Sequence, residues 1–344
     1  MPAVPIGKIL VTGANGYVSV WIVKTFLEHG FAVRGAVRSE RKATYLGSLF
    51  QSYGDKFDVV VVEDITKDGA FDEAVKDVDG IVHTASPVGI IQGDAAELIL
   101  PAVQGTVSIL TSALKRGTSV QRIVWVGSAG SVFEEQPDSN LKAFTEADWN
   151  EPAIREVETK GATASGFAKY SASKTLAERA AWNFWNKYRA EVAWDLVVLN
   201  PTYVFGPILH DVDRPENLNA SMRIFYDAAV ADARDKETLA TWGSSWVDVR
   251  DVGLAHVLAM QTPGAGGERI IISNDVYKLQ DFVDIAHRLY PQLPAGSIDY
   301  DPTVATHYQV FDTSKQRKLF KINFCPMETM VKDTLEDFKA RGWI

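Results

Sequence analysis

A tyrosine and a lysine four positions apart, Tyr170 and Lys174, are the pair in this chain best suited to acid–base chemistry. On a helix, such positions lie on one face, one turn from each other. A free phenol has a pKa of about 10, and a nearby ammonium stabilises the phenolate and so lowers that pKa. We therefore expect Tyr170 to exchange a proton with a substrate oxygen. Because the same spacing recurs on solvated helix faces, this interpretation depends on the rest of the sequence.

A glycine-containing turn near the N-terminus predicts a phosphate site. Residues 8–12 form a short apolar run typical of a buried strand, and an apolar-periodic helix follows to about residue 28. Between them, Gly13 permits a tight turn and Gly16 lets a pyrophosphate approach the backbone, while the helix N-terminus attracts its negative charge. The third position of the glycine fingerprint is Ser19, which is still small. The sequence therefore predicts a dinucleotide-binding unit.

Cationic residues follow the second predicted strand, where the ribose of the dinucleotide would lie. A unit that prefers NAD usually has an Asp or Glu there for the ribose 2′-hydroxyl. This chain instead has Arg38, followed by Ser39, Arg41 and Lys42. Cations suit a 2′-phosphate, which Arg can bind through two hydrogen bonds. The sequence favours NADPH over NADH, and the alternative is that these are ordinary solvated charges at a helix start.

Strand-like and helix-like segments alternate up to residue 199. After the first strand and helix, the pattern predicts strands at about 31–37, 57–62, 79–83, 121–127 and 192–199, and helices at 39–50, 70–76, 94–116 and 168–189. Continuously apolar strands in such an alternation are typical of a parallel sheet covered on both faces. We therefore expect an α/β fold with a doubly wound parallel sheet (Rossmann), its ligand lying beyond the carboxyl ends of the strands.

The alternation ends near residue 203, apart from a strand and helix at about 246–261. We expect residues 1–202, with a return segment at 238–262, to form an NADP-binding domain. Residues 203–237 and 263–344 are expected to form a smaller C-terminal substrate-binding lobe. A chain of 344 residues, 46% of them apolar, is long enough for a large core and such a lobe.

Composition argues against several kinds of partner. The net charge is −9, from 35 basic and 44 acidic residues, which disfavours a nucleic-acid partner. The one cysteine, Cys325, cannot form an intramolecular disulfide and is read as an ordinary buried thiol. We identify no apolar stretch of about 18 residues and no room for a signal peptide before the first strand. The six histidines show no metal-ligand spacing. A soluble, cytoplasmic protein without a membrane partner is expected.

Further motifs extend these features along the chain. Ser128 follows an apolar run, in the sequence VGSAG at 126–130. Together with the glycine turn and the Tyr170–Lys174 pair, this motif resembles the extended short-chain dehydrogenase/reductase family, and more closely its dihydroflavonol 4-reductase and yeast methylglyoxal/aldehyde reductase branch. The resemblance continues through HTASP at 83–87, PAVQGT at 101–106, NP at 200–201, VFGP at 204–207, VDVRDV at 247–252 and DTSK at 312–315.

The resemblance implies an NADPH-dependent carbonyl or aldehyde reductase that transfers a hydride to a carbonyl carbon. Tyr170 would donate the proton, Ser128 would hydrogen-bond the same oxygen, and Lys174 would hold the nicotinamide ribose. Arg38 and Lys42 would contact the 2′-phosphate, with Asp64 and Ile65 at the adenine. The family motifs imply further cofactor contacts at Gly13, Asn15, Gly16, Tyr17, Val18, Thr84, Ala85, Ser86, Asn200, Pro201, Thr202 and Val204.

Several nearby polar residues are left outside the predicted site. Ser131 could be mistaken for Ser128, but the strand-end position favours Ser128. His83 ends an apolar strand, which favours a packed imidazole over a general base. Relatives often have an Asn in the long fourth helix, whereas this chain has Ala102 or Gln104 near that place, so no fourth relay residue is assigned. Two further charged residues are interpreted as a structural clasp, namely Arg250 and Asp251.

Two other functions stay open at this point. One is another activity of the same superfamily, such as a sugar-nucleotide epimerase or a hydroxysteroid dehydrogenase, and the other is a non-enzymatic dinucleotide sensor, which commonly lacks the Tyr and Lys. Fold alone does not decide among them. The substrate pocket is expected beside Pro87, Val88, Phe133 and Tyr203, a mostly apolar set that suits an aromatic or hydrophobic carbonyl compound. The chain could be a monomer or a homodimer.

Overall fold

The structure is a computed structural model that describes residues 3–86, 93–134, 142–297 and 299–344. The bounds of its regular elements follow. The strands are β1 (Lys8–Thr12), β2 (Ala32–Val37), β3 (Phe57–Val61), β4 (Gly80–His83), β5 (Arg122–Val126), β6 (Asp195–Pro201), β7 (Tyr203–Phe205), β8 (Gly243–Asp248), β9 (Arg269–Ile272) and β10 (Asp275–Lys278). The helices are α1 (Tyr17–Glu28), α2 (Glu40–Leu49), α3 (Ala96–Arg116), α4 (Glu151–Lys160), α5 (Gly166–Tyr188), α6 (Ala220–Ala229), α7 (Lys236–Thr241), α8 (Val249–Gln261), α9 (Leu279–Leu289), α10 (Ser314–Phe320) and α11 (Met327–Ala340).

A parallel sheet of seven strands, in the order β3-β2-β1-β4-β5-β6-β9, forms the centre of the fold. Successive residues of β1 face opposite sides: Ile9 and Val11 pack in the cluster that includes α1 and α8, whereas Leu10 packs in the cluster that includes α3 and α5. Because both faces are covered, the strands are apolar throughout. The doubly wound parallel sheet predicted from the alternation is confirmed.

The loops after the strands are where a ligand is expected in such a sheet. β1, β4, β5 and β6 are neighbours and run in the same direction, so the segments that follow them meet at one edge. These segments begin at Gly13, Thr84, Gly127 and Thr202. The fold therefore brings the predicted motifs together although they are far apart in the chain.

The predicted helix at 70–76 is wrong, because this segment forms turns. Short-range bonds such as Asp72 N to Gly69 O at 3.0 Å and Val75 N to Phe71 O at 3.0 Å order it, together with bonds from Arg34 to the carbonyls of Ala74 and Lys76. Gly69 and Asp77 bound it with left-handed φ values of 71° and 56°. Because the chain reverses at both ends of this segment, a helix there could not extend beyond seven residues, and turns form instead.

Two strands differ from the expected division of the chain. β9 lies in the range assigned to the lobe, yet it pairs with β6 and completes the main sheet. β8 lies in the expected return segment, yet it pairs with β7 and β10 in a separate sheet of three strands. A short strand carries no signal for its partner, because pairing is decided by the whole tertiary arrangement.

The small sheet and the helices α6, α9 and α11 pack against one another next to the main sheet. Residues 206–209 connect this region to α1, α2 and α11 through hydrogen bonds to main-chain oxygens. Tyr17 Oη donates to Gly206 O at 2.9 Å, and Trp21 Nε1 donates to Pro207 O at 2.8 Å. Similar bonds come from Tyr45 to Leu209 O at 2.8 Å and from Arg341 to Ile208 O at 2.9 Å.

α3 is the described helix that is long and apolar enough to cross a membrane by length and composition. This differs from the expectation that no segment reaches that length. Half of its most apolar window of 18 residues is buried inside the protein, where α3 packs on α5.

Candidate active site

The glycine turn after β1 has the geometry of a phosphate-binding loop. Gly13 has a φ of +61°, and a Cβ atom added there would lie 3.0 Å from Ala85 Cα, so both conformation and space require glycine. Gly16 is the N-cap residue of α1 and has no side chain that could cap the helix, and the first turn of α1 holds no acidic residue. The first amides of the helix, at Tyr17 and Val18, therefore lack an internal acceptor and favour an anion. These residues fit a dinucleotide pyrophosphate.

Ser19, at the third glycine position, links α1 to the end of β4. Its hydroxyl oxygen lies 2.7 Å from Thr84 Oγ1, and Thr84 Oγ1 in turn donates to the carbonyl of Thr12. The Thr12 hydroxyl accepts from the amides of Thr84 at 3.2 Å and Ala85 at 3.1 Å. A serine is thus accommodated at the third glycine position of the fingerprint, because a hydrogen bond holds helix and strand together. Ser86, another predicted cofactor residue, comes directly after Ala85 in the chain.

The cations after β2 differ in their availability. Arg38 is exposed, and no hydrogen bond or ion pair joins it to another part of the described chain. Lys42 Nζ lies 3.6 Å from Asp211, a carboxylate that also pairs with Arg41 at 3.1 Å. Arg38 is therefore free to meet a 2′-phosphate, whereas Lys42 would have to be shared with Asp211.

The two residues predicted at the adenine occupy the loop after β3. Asp64 Oδ1 accepts hydrogen bonds from the Thr66 amide at 2.9 Å and hydroxyl at 2.7 Å, which lowers the pKa of the carboxyl. Ile65 packs on α3 at Gly105, where an added Cβ atom would lie 2.7 Å from Ile65 Cδ1. The loop is thus fixed beside α3, with Asp64 ionised.

Four of the predicted cofactor residues have side chains that already contact other parts of the protein. The Tyr17 hydroxyl donates to Gly206 O, and burial raises its pKa well above 10, so only its backbone amide could meet a phosphate. Asn200 is fully buried in a polar network, and the Thr202 hydroxyl donates to Ile272 O at 3.4 Å. Val204 is buried, and its carbonyl accepts from a serine. Pro201 ends β6, and Asn15 lies half-buried in the glycine turn.

The structure brings Ser128, Tyr170 and Lys174 together beyond β5. Ser128 follows that strand, its hydroxyl accepts from Gly130 N at 3.0 Å, and the Tyr170 phenol lies close by. Tyr170 and Lys174 lie one turn apart near the start of α5. A Cβ atom at Gly130 would lie 3.3 Å from both Ser128 Oγ and Tyr170 Cε1, so glycine there leaves room for their approach.

The expected lowering of the Tyr170 pKa by Lys174 is not what the structure shows. Burial raises the pKa of Tyr170, and the nearby Ser128 hydroxyl opposes that rise. Burial also lowers the pKa of Lys174 to about 8, against the opposing effect of Glu178. Lys174 Nζ lies 3.4 Å from Val126 O and 5.5 Å from the centre of the Trp125 ring. Desolvation outweighs the lysine's charge, which spacing alone could not indicate.

His83 is a packed imidazole, as its position at the end of an apolar strand indicated. Its Nδ1 lies 2.9 Å from Thr12 Oγ1, and burial, with the charge of Lys174, lowers its pKa to about 3. Ala102 is buried and carries no donor, and Gln104 on the same helix is exposed. Ser131 lies 2.7 Å from a glutamate carboxylate behind the turn, away from Tyr170.

The residues predicted at the substrate pocket have different surroundings. Burial, and then the nearby Tyr170 phenol, raise the pKa of Tyr203 to about 12, so the two phenols are neighbours. Phe133 is 3% exposed and packs among three other rings, at centroid distances of 5.4 to 6.2 Å. This surrounding is that of a core residue. Pro87 and Val88 lie outside the described residues.

Glu178 is a residue that the sequence analysis missed. It is fully buried on α5, where Tyr170, Lys174 and Glu178 are spaced by four residues and share one face. Its carboxylate pairs with the buried Arg269 at 2.5 Å. An acidic residue in the same four-residue register as the Tyr and Lys is the signal that could have identified it.

Arg250 and Asp251 form a clasp at the start of α8, as interpreted from the sequence. Arg250 pairs with Asp248 at 2.7 Å and with Asp333 of α11 at 2.5 Å. Asp251 accepts the amide of Cys325 at 2.8 Å, and burial raises the pKa of its carboxyl to about 6. Burial likewise raises the pKa of the half-buried Cys325 thiol to about 12. In the described parts of the chain, no group of three His, Cys, Asp or Glu residues could hold a metal.

Comparison with known proteins agrees with this geometry. Residues 9–273 match the NAD dependent epimerase/dehydratase family. The chain is 33% identical over 339 residues to the NADPH-dependent methylglyoxal reductase GRE2 of Saccharomyces cerevisiae, with 95% of this chain and 96% of that protein covered. It is 31% identical to the ketoreductase azaE of Aspergillus niger, covering 95% and 96% of the two chains.

Among solved structures, yeast methylglyoxal/isovaleraldehyde reductase Gre2 complexed with NADPH matches with a TM-score of 0.88 and 32% identity. The match covers 98% of this chain and all of the Gre2 chain. Family pattern, sequence identity and fold therefore agree over nearly the whole length. This chain belongs to the NAD dependent epimerase/dehydratase family, that is, to the extended short-chain dehydrogenases/reductases.

Proposed function

We propose that this protein reduces an aldehyde or ketone to an alcohol with NADPH, and that Tyr170 donates the proton. The observation that carries the proposal is the approach of Ser128 and Tyr170, both 3.3 Å from the position of a Cβ atom at Gly130, at the edge of the sheet where the glycine turn lies. Relatives that carry the names of NADPH-dependent and ketone-reducing enzymes match over at least 95% of this chain.

The residues that would hold the cofactor fit a phosphorylated dinucleotide. The open N-terminus of α1 would bind the pyrophosphate, and the unpaired Arg38 would bind the 2′-phosphate. Bound NADPH would supply the hydride to the carbonyl carbon. Negative charge then develops on the carbonyl oxygen, and the protein must stabilise it.

Ser128 and Tyr170 would perform that stabilisation. Both hydroxyls would donate hydrogen bonds to the carbonyl oxygen, and the Tyr170 proton would move to it as the alcohol forms. Because burial keeps the pKa of Tyr170 high, the phenol is protonated and ready to act as an acid. The Lys174 ammonium would then stabilise the resulting phenolate, since it lies one turn away on the same face.

The acceptor would be a small-molecule carbonyl compound with an apolar substituent. Tyr203 lies next to Tyr170, and its ring contacts those of Trp242 and Tyr277 at 5.6 and 6.4 Å. An aromatic border of this kind suits a hydrophobic aldehyde or ketone better than a phosphorylated sugar. We further infer a cytoplasmic protein that acts as a monomer or homodimer.

The test is the decrease in NADPH absorbance with a panel of aldehydes, ketoesters and dihydroflavonols, using the wild type and Tyr170→Phe. We expect turnover by the wild type and its loss in Y170F, with NADPH affinity within a few-fold because the phenol acts on the substrate. More than a tenth of the wild-type rate in Y170F would contradict the role of Tyr170. An absence of turnover by the wild type on every carbonyl class would contradict the function itself.

A further inference from the structure

The buried carboxylate of Glu178 holds the turn that carries Ser128. Glu178 Oε2 lies 2.7 Å from the Ser131 hydroxyl and accepts a hydrogen bond from Asn200 Nδ2 at 2.9 Å. Asn200 Nδ2 also lies 3.1 Å from the carbonyl oxygen of Ser128. One carboxylate on α5 therefore reaches both ends of the 128–131 turn.

The charge of Glu178 is compensated by Arg269 of β9. The two side chains are 0% and 7% exposed, and Arg269 Nε lies 2.5 Å from Glu178 Oε1. The guanidinium also donates to Ser131 O at 3.1 Å and lies 3.7 Å from the centre of the Trp149 ring. A buried ion pair with its remaining donors satisfied is rigid, because breaking it would leave a charge without water.

We propose that Glu178 is a positioning residue of the reduction, which holds the 128–131 turn against α5 so that Ser128 meets Tyr170. The inference rests on the proposed function and adds a residue that touches neither substrate nor cofactor. Ser128 and Tyr170 come from different elements, and nothing in the local sequence fixes the distance between them. Hydrogen bonds from Ser131 and Asn200 to Glu178, and from Asn200 to the Ser128 carbonyl, connect the turn that carries Ser128 to α5, which carries Tyr170.

Glu178 also acts on Lys174, one turn away on the same face of α5. Its negative charge opposes the lowering of the Lys174 pKa by burial. The other titratable groups around these two residues are Tyr170 on α5, His83 on β4 and Arg269 on β9. His83 is neutral near pH 7, since its pKa is about 3. Glu178 therefore supplies the anion that keeps Lys174 protonated.

The first experiment measures kcat, NADPH affinity and the pH profile of kcat for Glu178→Gln. We expect kcat to fall by about 10-fold or more, with NADPH affinity within about 3-fold of the wild type. Because the anion beside Lys174 is lost, the alkaline limb of the profile should move to lower pH. The proposal would be overturned if the rate per folded molecule, and the pH at which that rate falls on the alkaline side, both equalled those of the wild type.

Two further variants separate positioning from simple stability. In E178Q the Arg269 charge is left buried and unpaired, which can unfold the protein, so Glu178→Gln is also combined with Arg269→Met. We expect this folded double variant to keep the lowered kcat and the displaced limb, and recovery of both would overturn the proposal.

Ser131→Ala buries no unpaired charge. It should lower kcat several-fold without moving the limb, and an unchanged kcat would equally count against the role of the turn.

Lys187→Ala is the matched control on the same helix. Lys187 is exposed near the C-terminal end of α5, where it lies over the Tyr188 ring at 4.7 Å, so its loss should leave kcat and the limb unchanged. All rates are compared with a wild type that reduces a carbonyl compound. A failure of the proposed function is therefore seen in the wild type alone, before any variant at Glu178 is measured.

Discussion

The ammonium nitrogen of Lys174 lies 3.4 Å from the carbonyl oxygen of Val126, at the end of the strand that leads to Ser128. In this buried position the pKa of Lys174 falls to about 8, whereas burial raises that of Tyr170 above its ordinary value of 10. The lysine therefore loses its proton at lower pH than the tyrosine does. We therefore expect Lys174, rather than Tyr170, to limit carbonyl reduction at alkaline pH.

The first prediction is a loss of reduction as the pH rises through about 8. Below that pH both Lys174 and Tyr170 are protonated, and above it the phenolate formed in the reaction has no cation beside it. The measurement is kcat for carbonyl reduction between pH 6 and 10. Lys174→Arg should keep its charge throughout and show no limb near 8, although at a lower maximum rate. A limb at the same pH in both proteins would contradict the assignment.

The second prediction concerns the choice of cofactor. Arg38→Asp should reverse the preference for NADPH over NADH, because a carboxylate repels the 2′-phosphate and accepts from a 2′-hydroxyl. The loss of a charged hydrogen bond is worth about 1.5–3 kcal/mol, so the KM for NADPH should rise at least ~10-fold. Arg155→Asp makes the same charge change at an exposed site on α4 and should leave both KM values unaltered. An unchanged ratio of efficiencies in R38D would mean that Arg38 faces solvent.

The third prediction separates Phe133 from Tyr203. Phe133→Ala should lower the melting temperature, because removal of a ring packed among three others costs about 3–5 kcal/mol, and it should leave the ranking of substrates unchanged. Tyr203→Ala should instead shift relative kcat/KM towards bulky aryl ketones, by about 1–3 kcal/mol of discrimination. Melting curves and kinetics on both variants provide the test. A changed ranking in F133A would return Phe133 to the pocket.

The fourth prediction is a pH-dependent gain in stability from Asp251→Asn. The folded pKa of Asp251 is about 6, above the unfolded value of about 3.9, so the stabilising effect of its proton is lost as pH rises through 6. Asparagine can still accept the Cys325 amide and never ionises. D251N should therefore melt above the wild type at pH 7.5, and the difference should shrink at pH 5. Asp55→Asn, at an exposed position, should show no such trend.

The parts of the site that could be predicted are those with local signals. The glycine turn, Ser128 and the Tyr170–Lys174 pair each depend on a strand end or on a helix repeat, both of which are visible in a few residues. The direction of the Tyr170 pKa was not predictable, because it depends on burial by distant segments. Likewise, the surroundings of Phe133 and the partners of Tyr17 depend on contacts between distant parts of the chain, since Tyr17 and Gly206, for example, are 189 positions apart.

The bonds that attach residues 206–209 to the dinucleotide-binding half affect how far the side chains of this stretch can vary. Tyr17, Trp21 and Tyr45 all donate to main-chain oxygens of this stretch, and none of these bonds uses one of its side chains. Any residue type supplies the same carbonyl acceptor. At the half-buried Pro207 and Leu209, the side chain can therefore change while the path over α1 and α2 is retained. Gly206 and Ile208 are constrained for other reasons, since Gly206 has a φ of +133° and Ile208 is 2% exposed in the core. Engineering next to Tyr203 can begin at the two half-buried positions without losing the bonds that join the two halves.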